Sequence, residues 1–346
     1  MSPELHRQAN LLYLAALAVV AGPAFASHAH AAVFAGYTSD RHDRFLTGEP
    51  EGTLNPNFIM AGYDLSGISL GTPGDGMSDE IAPDVSTSRA VLITPQHYIA
   101  ADHAGTTTPR FRGNDGVIRS YTSTSSTRLN TVRSDGTSDP SDIRLFTLSA
   151  PIPTTDGVNP LAILSGNTQL LTGQEFFLIS NPRINSDESL THRAGKNVVR
   201  DVFEIGFGEN NTSPTENIYY TFDTAENKGF DGFGGDALGV DEAGLIGGDS
   251  GNPALIDING QLAVLGAHFG ISVPSGSNAG AGDFYHNFTS LLTPYIGQIE
   301  SLTAAEGQSI TKLSIPVTAV PEPSIAFLVI VLGLAAVRRQ TRLPSC

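Results

Sequence analysis

The chain has 346 residues, of which 40% are hydrophobic and 16% charged, a balance that is typical of a globular protein with a packed core. Its formal net charge of −16 excludes nucleic acid from the expected partners, because phosphate binding requires a basic face. The single cysteine is Cys346, so the chain can form neither an internal disulfide nor a cysteine-based metal site. The 37 glycines and 21 prolines favour short strands and turns over long helices.

The first 26 residues predict a signal peptide. Arg7 supplies the positive charge, residues 11–22 are apolar, and Ala24-Phe25-Ala26 is a small-x-small cleavage site. A second candidate cleavage site lies near Ala32. We therefore expect an exported protein, and the lack of an internal disulfide is more typical of a bacterium than of an animal secretory pathway.

The middle of the chain predicts an all-β fold. Residues 27–57, which are polar from 39 onward, are interpreted as a leader or linker, and residues 303–319 as a second linker. A helix is predicted over 290–302, with Pro294 in or near its first turn. The remaining apolar runs are short and bounded by turn residues, which is typical of a barrel or sandwich: Ala90–Ile93, Tyr98–Ala101, Ile143–Leu148, Phe176–Ile179, Val202–Phe207, Ile218–Phe222, Ala254–Ile256 and Leu262–Phe269.

The run Gly-Gly-Asp-Ser-Gly-Asn-Pro at 247–253 places Ser250 in a tight turn between glycines, directly after an acid. Such a turn aims a hydroxyl outward and its own N–H groups at one point. Acyl transfer needs both, a nucleophile and donors for the oxyanion. The elbow of α/β-hydrolases requires glycine two residues on either side of the serine, and Asn252 breaks that pattern.

Two upstream segments supply a base and an acid. His103 follows the apolar run 92–101, and Asp142 begins the alternating run 141–148. Asp135 and Asp139 are alternative orienting acids, but neither opens an apolar strand, so Asp142 is preferred. The chain order His, Asp, Ser is one of the three orders found among convergent catalytic triads.

The segments 91–104, 141–148 and 247–253 resemble the signature regions of the chymotrypsin/trypsin-like serine proteases, and the resemblance extends from about residue 59 to 302. It implies two six-stranded antiparallel β-barrels, about 58–165 and 166–288, with a closing C-terminal helix. The triad would lie in the cleft between the barrels. No metal or cofactor is implied.

On this resemblance His103 is the general base, Asp142 orients it, and Ser250 is the nucleophile. The N–H groups of Gly248 and Ser250 would form the oxyanion hole. Asn252 replaces the glycine that usually follows Ser-Gly. Asp102 stands where the family usually has alanine, and it either only contacts solvent or perturbs His103.

The resemblance also bears on the S1 pocket, for which the candidate residues are Gly244, His268 and Gly270. The trypsin group carries an aspartate six residues before the nucleophile, where this chain has Gly244, so cleavage after Arg or Lys is not expected. His268 resembles the histidine with which glutamyl endopeptidases contact an acidic P1 side chain; alternatively it is a structural histidine. The expected P1 residue is therefore Glu or neutral.

Two further segments carry open hypotheses. Ile59-Met60-Ala61-Gly62 resembles the new N-terminus that activates this family by pairing with the acid before the nucleophile, here Asp249; an ordinary apolar strand explains 58–62 equally well. The acidic, glycine-rich segment 231–242 matches no EF-hand spacing and is interpreted as a surface loop rather than a Ca²⁺ site.

The C-terminal segment 320–346 resembles the PEP-CTERM sorting signal of Gram-negative bacteria. Val320-Pro321-Glu322-Pro323 is followed by the apolar span 325–337 and then Arg338-Arg339. The resemblance implies an exosortase-type sorting enzyme as partner, transient contact with the inner membrane, and a final location in the periplasm, cell surface or matrix. The alternative is a plain transmembrane anchor.

The sequence thus predicts an exported serine endopeptidase that acts on protein or peptide substrates. The alternative from another class is a catalytically inactive trypsin-fold protein that serves as a binding or matrix component at the cell surface. An esterase on the same fold is a further alternative.

Overall fold

The computed structural model describes residues 32–46, 52–70, 90–133, 136–180, 192–207, 213–222, 238–245, 249–272 and 286–316. The predicted signal peptide 1–26 and sorting segment 320–346 lie outside these ranges, as do residues 231–237 of the acidic segment. One compact unit spans Met1–Ser314 and a second spans Ile315–Cys346. Within the described ranges, every helix is too short or too polar to span a bilayer.

The first half of the chain forms a four-stranded antiparallel sheet in the order β2-β3-β7-β6, with β4 and β5 paired separately. The start of β7 is exposed, but most of its residues from Ser141 onward are buried, which fits a strand covered on both faces. The strands are β1 Val33–Phe34, β2 Val91–Thr94, β3 His97–Ala101, β4 Arg110–Arg112, β5 Ile118–Ser120, β6 Ser123–Val132 and β7 Ser138–Leu148.

The second half forms a nine-stranded sheet whose main path is β10-β9-β14-β15-β16-β12-β11, while β13 pairs with β1. The strands are β8 Ala162–Ser165, β9 Glu175–Ser180, β10 Arg193–Val198, β11 Asp201–Phe207, β12 Ser213–Thr221, β13 Ala243–Gly244, β14 Pro253–Ile258, β15 Gln261–Ser272, β16 His286–Leu291 and β17 Lys312–Ser314.

Every apolar run that predicted a strand coincides with one, so the all-β class is confirmed. The pairing of the described strands does not close either sheet into a ring. One strand departs from the antiparallel expectation, because β8 pairs in parallel with β15 and with β17. Parallel pairing requires a long connection between the two strands, and both partners of β8 are distant from it along the chain.

The C-terminal helix is present but begins later than predicted. Ser290, the predicted first residue, lies on β16, and its hydroxyl donates to Asn217 Oδ1 at 3.1 Å. Pro294 lies in the 3₁₀ turn Thr293–Tyr295, where its fixed φ suits a helix start. The helix α2 then runs over Ile296–Ala305. Sheet pairing therefore holds Ser290, the first residue of the predicted helix.

The segment interpreted as a leader or linker contributes to the packed structure. A short helix α1 lies at Ser39–His42, and Phe45 and Asn55 are buried. Arg193 Nε of β10 donates to Asp43 Oδ1 at 2.9 Å. The second predicted linker likewise contains β17, which pairs with β8. The composition of the two predicted linkers indicated solvent-exposed residues. In the structure, these segments pair with strands that are distant along the chain.

One hydrophobic cluster joins the two sheets. It contains Ala101 at the end of β3, Ile143 on β7 and Ala267 on β15, all nearly inaccessible to solvent. Ala101 and Ile143 lie within the first two segments, close to His103 and Asp142, and Ala267 pairs with Pro253 at the end of the third. The core thus anchors all three segments on one packed interior.

Candidate active site

The end of β3 and the start of the apolar part of β7 bring His103 to Asp142. Ala101 pairs directly with Ile143, and the chain then turns into the 3₁₀ turn Asp102–Ala104. His103 Nδ1 lies 2.7 Å from Asp142 Oδ2 and 2.9 Å from Oδ1. The backbone N–H of His103 also donates to Asp142 Oδ1, at 3.3 Å.

Burial differs sharply between the two side chains. The Asp142 side chain is 3% exposed, whereas that of His103 is 28% exposed. Asp142 is also fixed from the larger sheet, because its N–H donates to Thr215 Oγ1 of β12 at 3.2 Å. A carboxylate that accepts at Nδ1 requires the proton there and leaves Nε2 as the ring's acceptor. This tautomer is the one a general base needs.

The alternative orienting acids are placed differently. Asp139 contacts Arg133 Nε at 2.6 Å, and both side chains are 40% exposed. Asp135 lies outside the described residues. Asp139 and Asp142 are the candidate acids that the structure describes, and Asp142 is the one that contacts His103.

Ser250 lies, half buried, in the turn that leads into β14. Gly251 has φ +84°, a left-handed conformation that glycine adopts without strain, and its N–H donates to His268 O at 2.9 Å. The N–H of His268 returns to Asn252 O at 2.8 Å. The turn is therefore tied to β15 on both sides of its glycine. Gly248, the second expected oxyanion donor, lies outside the described residues.

Asp249, the acid before the predicted nucleophile, is buried and accepts a hydrogen bond from Ser180 Oγ at 2.7 Å. The backbone N–H of Ala32 donates to the same hydroxyl at 3.1 Å. The N–H of Ile59, the hypothetical activating residue, instead donates to Arg41 O at 2.8 Å. The segment linked to Asp249 through Ser180 is thus the one at the second candidate cleavage site.

The three predicted S1 residues lie on β13 and β15. A Cβ at Gly244 would approach Phe222 Cβ to 2.9 Å, so the backbone there is packed too closely for an aspartate. A Cβ at Gly270 would meet no atom within 4 Å. His268 and Gly270 flank a bulge in the pairing with β16.

His268 is fully buried, and its Nδ1 lies 2.9 Å from Thr289 Oγ1. The Tyr220 hydroxyl is 3.3 Å from the same oxygen. Burial, with a smaller contribution from the Asp249 carboxylate, raises the pKa of Tyr220 well above its usual value. Sequence reasoning found His268 but not its two hydroxyl neighbours, because an isolated Thr or Tyr on a strand carries no local signal.

Asp102 does not simply contact solvent. Its carboxylate pairs with Arg144 of β7 and Arg128 of β6. Among the described residues, no three His, Cys, Asp or Glu side chains are grouped so that they could hold a metal ion.

The arrangement can perform proton transfer at His103, with Asp142 to hold the ring and to stabilise its charged form. It can also present a serine hydroxyl from a rigid, glycine-containing turn. No protein-family model matches the chain, and no curated protein matches it.

Proposed function

We propose that this chain is an exported serine endopeptidase with a chymotrypsin-like arrangement of two β-barrels. The observation that carries the proposal is the contact of His103 Nδ1 with both oxygens of the buried Asp142 carboxylate. A histidine held in this way by a shielded acid, with its ring still partly exposed, has the arrangement that the base of a catalytic triad requires. The all-β class and the core shared by the two sheets support the barrel assignment.

The mechanism proceeds in two steps. The Ser250 Oγ attacks the carbonyl carbon of the scissile peptide while His103 Nε2 takes the hydroxyl proton, and Asp142 stabilises the imidazolium. The N–H groups of Ser250 and Gly248 bind the oxyanion. Collapse expels the amine, which receives the proton from Nε2, and leaves an acyl-enzyme. Water then attacks the ester carbonyl, again with His103 as base, and releases the acid product and free serine.

The P1 preference follows from Gly244, the residue that would lie at the base of the S1 pocket. Gly244 carries no charge, and its close packing against Phe222 leaves no room for one. A buried anion is what binds Arg or Lys at P1, so we infer that P1 is neutral or Glu. His268 is fully buried and held by Thr289, which fits a structural histidine, and recognition of a Glu carboxylate would require its ring to become accessible. A peptide-library profile dominated by Arg or Lys would contradict this inference.

Export and sorting are part of the same proposal. The signal peptide directs the chain across the inner membrane, and the C-terminal segment is a substrate for an exosortase-type enzyme. The folded part then acts in the periplasm, at the cell surface or in the extracellular matrix. The resemblances in residues 1–26 and 320–346 support this location.

A fluorophosphonate probe tests the proposed activity, because it modifies only an activated serine. We expect labelling of the exported full chain, with loss of labelling in Ser250→Ala and in His103→Ala. Ser149→Ala, which removes an exposed serine, is the matched control and should label like the wild type. An unlabelled wild type would favour the inactive binding or matrix protein, and labelling that persists in Ser250→Ala would overturn the nucleophile assignment. Peptide cleavage by the labelled protein distinguishes it from an esterase.

A further inference from the structure

Two consecutive residues of the 3₁₀ turn, Asp102 and His103, are held by two side chains of β7. His103 contacts Asp142, and Arg144 Nε donates to Asp102 Oδ1. Side chains two residues apart on a strand point to the same face. Asp142 and Arg144 therefore approach the turn from one side and fix it at adjacent positions.

A second arginine completes this cluster. Arg128 of β6 lies directly opposite Arg144 in the register of the sheet, and its Nε is 3.1 Å from Asp102 Oδ2. Like charges in directly opposed positions repel. Because the Asp102 carboxylate contacts both guanidinium groups, it compensates that repulsion.

The guanidinium groups are themselves oriented by neighbouring oxygens. Arg128 Nε donates to the Ser141 carbonyl, and Arg144 Nη1 donates to Ser126 Oγ at 2.9 Å. The side chain of Asp102 is only 15% exposed, against 33% for Arg128 and 31% for Arg144. The acid thus lies beneath the two arginines rather than in open solvent, in a defined position next to His103.

We propose that Asp102 is a positioning residue, whose ion pairs with Arg144 and Arg128 hold the turn so that His103 Nδ1 stays against Asp142. This inference rests on the proposed function, since it concerns how the base is kept in place. Without the Asp102 charge, the two arginines repel each other and the turn keeps one attachment to β7 instead of two. Ion pairs this exposed add little to global stability. The consequence is therefore expected in the rate of the chemical step.

Steady-state kinetics of Asp102→Asn test the inference. We expect kcat to fall about 10- to 100-fold, the scale of a catalytic group misplaced by about 1 Å, while KM and the melting temperature change little. Asp102→Glu should recover most of the activity. Asp139→Asn, which breaks an exposed ion pair at the start of β7, is the matched control and should leave kcat unchanged.

A double variant shows whether the acid acts through its arginine. Arg144→Met should lower kcat to a similar extent, and the pair Asp102→Asn with Arg144→Met should be no worse than either change alone. If kcat of the double variant fell by the product of the two single losses, Asp102 would not act through Arg144, and the proposal would be overturned. An unchanged kcat in Asp102→Asn, or a loss that only follows a decrease in folded protein, would overturn it as well.

A spectroscopic measurement separates this inference from the proposed function. The proton between His103 Nδ1 and Asp142 should give a downfield ¹H NMR signal in the wild type that is absent from Asp142→Asn. We expect Asp102→Asn to weaken or broaden this signal, and an unaltered signal would count against the positioning role. Because the signal does not depend on turnover, a wild type that shows it but hydrolyses nothing would refute the protease and leave the positioning role standing.

Discussion

The substitution Asp142→Asn tests the geometry of the base most directly. Asp142 Oδ1 contacts the His103 backbone N–H at 3.3 Å and Nδ1 at 2.9 Å, and Asp142 Oδ2 contacts Nδ1 at 2.7 Å. An asparagine keeps its oxygen where the backbone N–H needs an acceptor, so its NH₂ group takes the Oδ2 position. That group donates to Nδ1 and forces the ring proton onto Nε2.

In this tautomer His103 presents a donor to Ser250 and cannot act as base. The expected loss in kcat is about 10⁴-fold, the size of the same change in a Ser-His-Asp triad, or about 5.5 kcal/mol of transition-state stabilisation. The assay is kcat on a chromogenic peptide, with the melting temperature measured alongside. Asp139→Asn is the control, because that acid pairs with Arg133 instead, and it should change kcat less than twofold. A loss under tenfold in Asp142→Asn, or equal losses in the two variants, would refute the reasoning.

Three further predictions concern packing and pH. Gly244→Asp should lower the melting temperature without creating cleavage after Arg or Lys, because its Cβ would lie 2.9 Å from Phe222; a gain of tryptic cleavage would contradict the packing. Gly266→Ala places a Cβ 1.8 Å from a backbone oxygen of β16 and should cost more than about 3 kcal/mol in urea unfolding, whereas Gly297→Ala, in an open position on α2, should stabilise slightly. Burial and a neighbouring arginine lower the pKa of His192 to about 3. The pKa of His192 in the unfolded chain is about 6.5, so between pH 6.5 and 3 the unfolded state binds one proton more than the folded state. The free energy of unfolding should therefore decrease as the pH is lowered, by up to about 1.4 kcal/mol per pH unit. His192→Gln should flatten that slope in urea titrations from pH 6.5 to 4; an identical slope would exclude His192 as the cause.

The strands could be predicted from the sequence because their signal is local. Apolar runs bounded by turn residues, such as Phe176–Ile179, coincide with strands of the sheet. The proximity of His103 and Asp142 was expected from the resemblance to serine proteases, and in the structure the apolar runs next to the two residues pair with each other. Local patterns are informative here because a strand that is buried on both faces has a short, continuous apolar run bounded by turn residues.

The features that were not predicted depend on partners far along the chain. The sequence predicted Asp43 to be a solvent-exposed residue of a leader, but it pairs with Arg193, 150 positions away. The sequence predicted Ser290 to be the first residue of a helix, but strand pairing keeps it on β16. The role of Asp102 depends on Arg128 and Arg144, which the sequence does not connect to it. Tertiary contacts override local propensity in each case.

The hydrophobic cluster that contains Ala101, Ile143 and Ala267 has a practical consequence. Since the proposed base, acid and nucleophile are all attached to the same interior, neither sheet can loosen without separating these groups. Hydrolysis and native structure should therefore vanish together on heating, over the same few degrees, without a partly active intermediate. A turnover assay would then report the folded fraction of this protein at each temperature, and reducing agents should leave the result unchanged.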